Sequence, residues 1–141
     1  MRTVAFFRIA LAAPLVVPLL ALPLGSEAVS AIIFLSLGFG GIQYVVFAAV
    51  LFYALGRLKT QERMEALAYA APLLFLPFVA TGWLIQSYIA QIENPDLVGI
   101  WEALLPIAAY SLLVGYVYVG IVMLVFKAFS SRGWVRHQPA L

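Results

Sequence analysis

The sequence predicts an all-α integral membrane protein with four transmembrane helices, paired as two hairpins, with both termini in the cytoplasm. Three observations carry this expectation. Hydrophobic residues make up 65% of the 141-residue chain and charged residues only 10%, whereas a soluble domain carries about 25% charged residues on its surface. The mean hydropathy of +1.07 agrees. Long apolar segments recur, each able to cross a hydrocarbon core that takes about 20 helical residues. The charges also sort by sign. With four spans, all eight Lys and Arg residues fall on one side, and Glu27, Glu93, Asp96 and Glu102 fall on the other. The positive-inside rule then puts the basic side in the cytoplasm of a bacterial-type inner (plasma) membrane. An odd number of spans would scatter the basic groups.

The first segment is residues 4–24, VAFFRIALAAPLVVPLLALPL, with Arg2 and Arg8 at its start. A signal peptide has a similar layout, but this apolar stretch is long for a signal core. Pro14, Pro18 and Pro23 suit a retained membrane helix whose neighbours satisfy the freed backbone groups. Ala10, Ala13, Pro14, Val17 and Ala21 share one face and form a packing seam. Ser26 is placed to cap the next helix, and Glu27 suits the positive end of its dipole.

The second segment is residues 28–55, longer than a perpendicular span needs and therefore tilted. Its centre is GFGGIQYVVF, residues 38–47. Ser36, Gly40, Gln43 and Phe47 share a face, with Gly41, Tyr44 and Ala48 beside it, and small residues of this kind let membrane helices approach closely. Residues 56–65 then form a charged cytoplasmic hinge. The third segment, residues 66–91, contains Pro72 and Pro77, which are expected to bend it. Thr60 is a candidate cap for a helical lead-in to it. Trp83 and Tyr88 mark its outer end, where amphipathic rings favour the headgroup level.

An outer loop, 92–102, carries Asn94-Pro95-Asp96, a helix-restart pattern of cap, proline and acid. The fourth segment is residues 103–126, with Ala108, Ser111, Gly115 and Tyr118 on one face. The basic tail, residues 127–141, carries Trp134 as an interfacial anchor. The two hairpins are also candidates for a parallel tandem repeat about an axis along the membrane normal. Ala12-Ala13-Pro14-Leu15 matches Ala70-Ala71-Pro72-Leu73, and Gly41 with Tyr44-Val45 matches Gly115 with Tyr118-Val119, at offsets of 58 and 74 residues. Chance identity in an apolar alphabet is the competing explanation.

Absences narrow the chemistry. There is no cysteine, which removes thiolate and disulfide roles, and the single histidine, His137, lies in the tail. A bis-histidine haem therefore cannot form within one chain. No cluster has metal-ligand spacing, and no nucleophile, histidine and acid are set for covalent catalysis. No charged residue lies deep in a span, which argues against proton-coupled export and voltage sensing. The expectation is a chain with no catalytic residues, no metal and no cofactor. The basic residues read as orientation signals and not as a nucleic-acid surface.

Two groups of residues remain as candidates. Gln43 sits near the bilayer midplane, and its amide needs partners. Thr81 and Pro14 fall at similar depth, and Pro14 leaves the carbonyl of Ala10 without its helical donor. Gln43 is expected to bond across the bundle, to Thr81 or to a carbonyl freed by proline, at about 0.6–2 kcal/mol. Gly40, Gly41, Ser111 and Gly115 complete this interhelical set. The second group is an outer-face site for a partner or ligand, formed by Gln86, Glu93, Asp96, Trp101 and Glu102. Tyr110, Tyr116 and Tyr118 read as packing or lipid-facing residues.

The function these features favour is non-catalytic. The chain is expected to act through helix packing with a partner in the lipid bilayer, as an accessory subunit or an immunity-type protein. The alternative is a small homo-oligomeric channel or transporter for an uncharged or lipid-like solute.

Overall fold

In a computed structural model, the described residues are 2–21, 26–27, 30, 41–94 and 102–135. They contain four α-helices: α1 (Thr3–Ala21), α2 (Ile42–Arg57), α3 (Gln61–Glu93) and α4 (Leu104–Ser131). Two of these, α3 with 33 residues and α4 with 28, are long and apolar enough to cross a membrane. At about 1.5 Å per residue they reach about 50 and 42 Å, more than the roughly 30 Å of a hydrocarbon core. Their outward faces carry exposed Leu74, Ile85, Leu105, Leu113 and Leu124, an apolar exterior suited to lipid.

The expected hinge is much shorter in the structure. Only residues 58–60 leave helical geometry between α2 and α3, with Leu58 and Thr60 both extended. Helix α2 continues through Arg57, whose charge suits the negative end of the helix. The Arg57 guanidinium lies 4.9 Å from the centre of the Tyr53 ring and also donates to the Tyr53 hydroxyl. Helix α3 begins at Gln61, whose side-chain amide donates to the Glu65 carboxylate at 2.6 Å, one turn on. These i, i+4 pairs draw the charged residues into helix. Thr60 occupies the N-cap position, but its side chain makes no capping bond.

The end of α4 also moves. The helix runs past Lys127 to Ser131, then stops on a left-handed glycine, Gly133, with φ of 71°. The Gly133 amide donates to the Ser130 carbonyl at 3.1 Å and the Trp134 amide to the Phe129 carbonyl at 3.0 Å. This pair of bonds is a Schellman motif. The Phe129 and Trp134 rings close it, with centroids 5.2 Å apart.

The core sits at the end of the bundle where α1 and α3 begin and α2 and α4 end. Phe6, Phe7, Leu55, Met64, Met123 and Phe126 pack there, with Val135 from beyond α4. The Phe126 ring lies 5.2 Å from Phe6 and 5.1 Å from Phe7, so α1 and α4 are joined through aromatic contact. A second aromatic group, Tyr44, Phe47, Phe75 and Phe78, joins α2 to α3, with Phe47 and Phe75 centroids 5.0 Å apart.

Candidate functional site

Two tyrosines on different helices converge on neighbouring carbonyls of α1. The Tyr118 hydroxyl, from α4, donates to the Ala10 carbonyl at 2.5 Å. The Tyr44 hydroxyl, from α2, donates to the Leu11 carbonyl at 2.8 Å. The sequence of α1 explains why a donor is needed. Pro14 has no N–H, so the Ala10 carbonyl four residues earlier has no donor within its own helix. A buried carbonyl without a partner costs free energy, and the phenol of Tyr118 supplies what the proline removed. The Leu11 carbonyl faces the amide of Leu15, so Tyr44 adds a bond where one helical donor already exists.

Gln43 lies next to Tyr44 on α2, and its amide packs on Gly82 of α3, where even a methyl group would overlap it. The expected bond to Thr81 does not form, because Thr81 points outward and is exposed. Gly82 takes the facing position because it alone leaves room for the amide. The other expected acceptor, the Ala10 carbonyl, belongs to Tyr118. Among the described residues, Gln43 Oε1 is buried with no hydrogen-bond partner.

The remaining members of the interhelical set are placed as follows. Gly115 meets Pro72 across the α3–α4 contact. A Cβ at Gly115 would lie 2.9 Å from Pro72 Cβ. Ser111 is half-buried one turn earlier on α4, and Gly41 is half-buried just before α2. Gly40 lies outside the described residues.

Of the outer-face set, Gln86 is half-buried on α3, Glu93 is exposed at the end of α3, and Glu102 is exposed just before α4. Asp96 and Trp101 lie outside the described residues. Tyr110 and Tyr116 are exposed, in contrast to the hydrogen-bonded Tyr118.

Two features had no counterpart in the sequence reading. One is a cavity of about 120 Å³ between the four helices, beside the two tyrosines on the core side. Phe7, Leu51, Ala71 and Val119 are among the residues that line it. The signal for it was a set of small residues, Ala10, Ala68, Ala71 and Gly115, which turn out to meet at one level of the bundle. The other feature is Arg8. Its guanidinium lies 4.2 Å from the Phe52 ring centre and donates to the Phe52 carbonyl at 3.4 Å. It fits against Gly56, where a Cβ would sit 2.7 Å from Arg8 Nη2. The i, i+4 pair Phe52 and Gly56 was the available clue.

The polar groups of this site are hydroxyls and an amide engaged with backbone and glycine. Among the described residues, no three His, Cys, Asp or Glu side chains are grouped to hold a metal ion. The arrangement ties helices together and presents apolar surface to the half-open space between them. Comparison with family models, curated proteins and solved structures finds no match for this chain.

Proposed function

We propose that this chain is a non-catalytic inner-membrane protein of four spans, with both termini cytoplasmic, that acts by packing against another membrane helix. The observation that carries the reading is the contrast between two glycines of α4. Gly115 is used inside, against Pro72, whereas a Cβ added at Gly120 would meet nothing within 4 Å. Gly120 is exposed, and exposed Tyr116, Val117, Ile121 and Leu124 surround it. The outward face of α4 thus carries an apolar ridge with a notch at its centre. A notch of that kind admits a close backbone approach by a partner helix, from a foreign membrane protein or a second copy. An accessory subunit and an immunity-type protein both use such a surface.

The test is photo-crosslinking in native membranes from reactive side chains placed at Val117 and Leu124. A protein adduct that Gly120→Leu abolishes is the expected result. Adducts to lipid alone would overturn the reading. The alternative, a channel or transporter for an uncharged or lipid-like solute, is favoured by one observation, the half-open apolar space between the helices. Its lining does not include Gln43, so a midplane polar path is not part of that reading.

A further inference from the structure

Between the four helices lies a half-open apolar space that side chains do not fill, and its walls are propped apart. On one side the Pro72 ring meets Gly115 closely enough that α3 and α4 are already in backbone-level contact. On the other, Tyr118 and Tyr44 hold α1 at fixed distances from α4 and α2 through bonds of 2.5 and 2.8 Å. The Phe47 and Phe75 rings brace α2 against α3. The void is therefore built by the same contacts that build the fold.

We propose that this cavity is a binding site for a hydrocarbon group of about the size of a benzene ring, either a free apolar molecule or the end of a lipid chain. Its volume of about 120 Å³ is of the order of an enclosed apolar cavity of roughly 150 Å³ that accepts benzene, and its open side leaves a route of entry. Water is a poor occupant, because a buried water needs roughly two to four polar partners. Among the described residues, the only hydroxyls on the lining belong to Tyr44 and Tyr118, and both donate to α1 carbonyls. What faces the space is aliphatic side chain and aromatic ring, and its natural complement is hydrocarbon. This site is separate from the outward notch at Gly120, so either can fail without the other.

The test is NMR of the purified full-length chain with labelled methyl groups, using xenon as the probe, in micelles and then in phospholipid nanodiscs. The expected result in micelles is a set of xenon-dependent shifts confined to Val119, Val122, Leu51 and Leu55. They should be lost in Ala71→Leu, which fills the space. If a lipid chain is the occupant, the nanodisc sample replaces the xenon response with contacts between lipid terminal methyl groups and Val122, again lost in Ala71→Leu. Val122→Phe serves as a second filling variant, with helix content checked by circular dichroism. Xenon shifts and lipid contacts both absent from the wild type, or unchanged in both filling variants, would overturn the proposal.

Discussion

The pairs α1–α2 and α3–α4 are joined by different chemistry. Between α1 and α2 the contacts named above are polar: Tyr44 donates to the Leu11 carbonyl, and Arg8 reaches the Phe52 carbonyl and ring. Between α3 and α4 the closest contact is steric, Pro72 against Gly115. The difference bears on the candidate repeat. Tyr44 and Tyr118 are equivalent under the repeat offset, and Pro14 is equivalent to Pro72. A symmetric repeat would send Tyr118 to α3, as Tyr44 goes to α1. Instead both phenols address α1. A shared motif has been put to unequal use, with α1 held by bonds from two sides and α3 held to α4 by backbone proximity.

The largest effect that sharpens this comparison is expected at the steric contact. Gly115→Val should drive a branched side chain into the rigid Pro72 ring and lower stability by about 1–3 kcal/mol, read as a fall in the melting temperature of the detergent-solubilised chain. Gly120→Val, on the open face of the same helix, should stay within about 0.5 kcal/mol. Equal losses at the two glycines would remove the distinction between an internal and an external face of α4.

The polar contacts should respond less, and unequally. Tyr118→Phe should cost about 1–2 kcal/mol, because the Ala10 carbonyl loses its donor. Tyr44→Phe should cost about 0.5–1 kcal/mol, because the Leu11 carbonyl keeps the amide of Leu15. A double-mutant cycle tests the cause. In a Pro14→Ala background the helix supplies its own donor to Ala10, and the cost of Tyr118→Phe should shrink. If that cost is unchanged by Pro14→Ala, the link between the proline and the phenol is wrong.

The smallest effect is expected at Gln43. Its Oε1 has no described partner, so Gln43→Met, which keeps the volume on Gly82, should change stability by less than about 1 kcal/mol. A larger loss would show that the amide is bonded in the working protein.

The helical class was legible from the apolar runs. The described residues form four helices in the order of the four apolar segments, and two of them are long and apolar enough to cross a membrane. The boundaries were less legible. Gln61–Glu65 and Tyr53–Arg57 are pairs one turn apart whose side chains extend α3 and α2 into what reads as a hinge. The glycine stop after α4 was readable in SSRGW, yet the basic Lys127 marks an earlier boundary if charge alone is followed. At the site, Pro14 leaves the Ala10 carbonyl without a helical donor. The donor came from Tyr118 and not from Gln43, since which side chain reaches α1 depends on how α4 is rotated.

Sequence alone was enough for helical content, segment order and the scarcity of reactive groups, because these follow from composition and from the length of apolar runs. Whether Thr81 or Gly82 faces Gln43, whether Gly115 or Gly120 faces Pro72, and whether small residues on separate helices coincide to leave a cavity were settled by packing. Each depends on the rotation of one helix about its axis relative to another. Adjacent positions on a helix differ by about 100°, so a single residue of register exchanges an internal contact for an outward one.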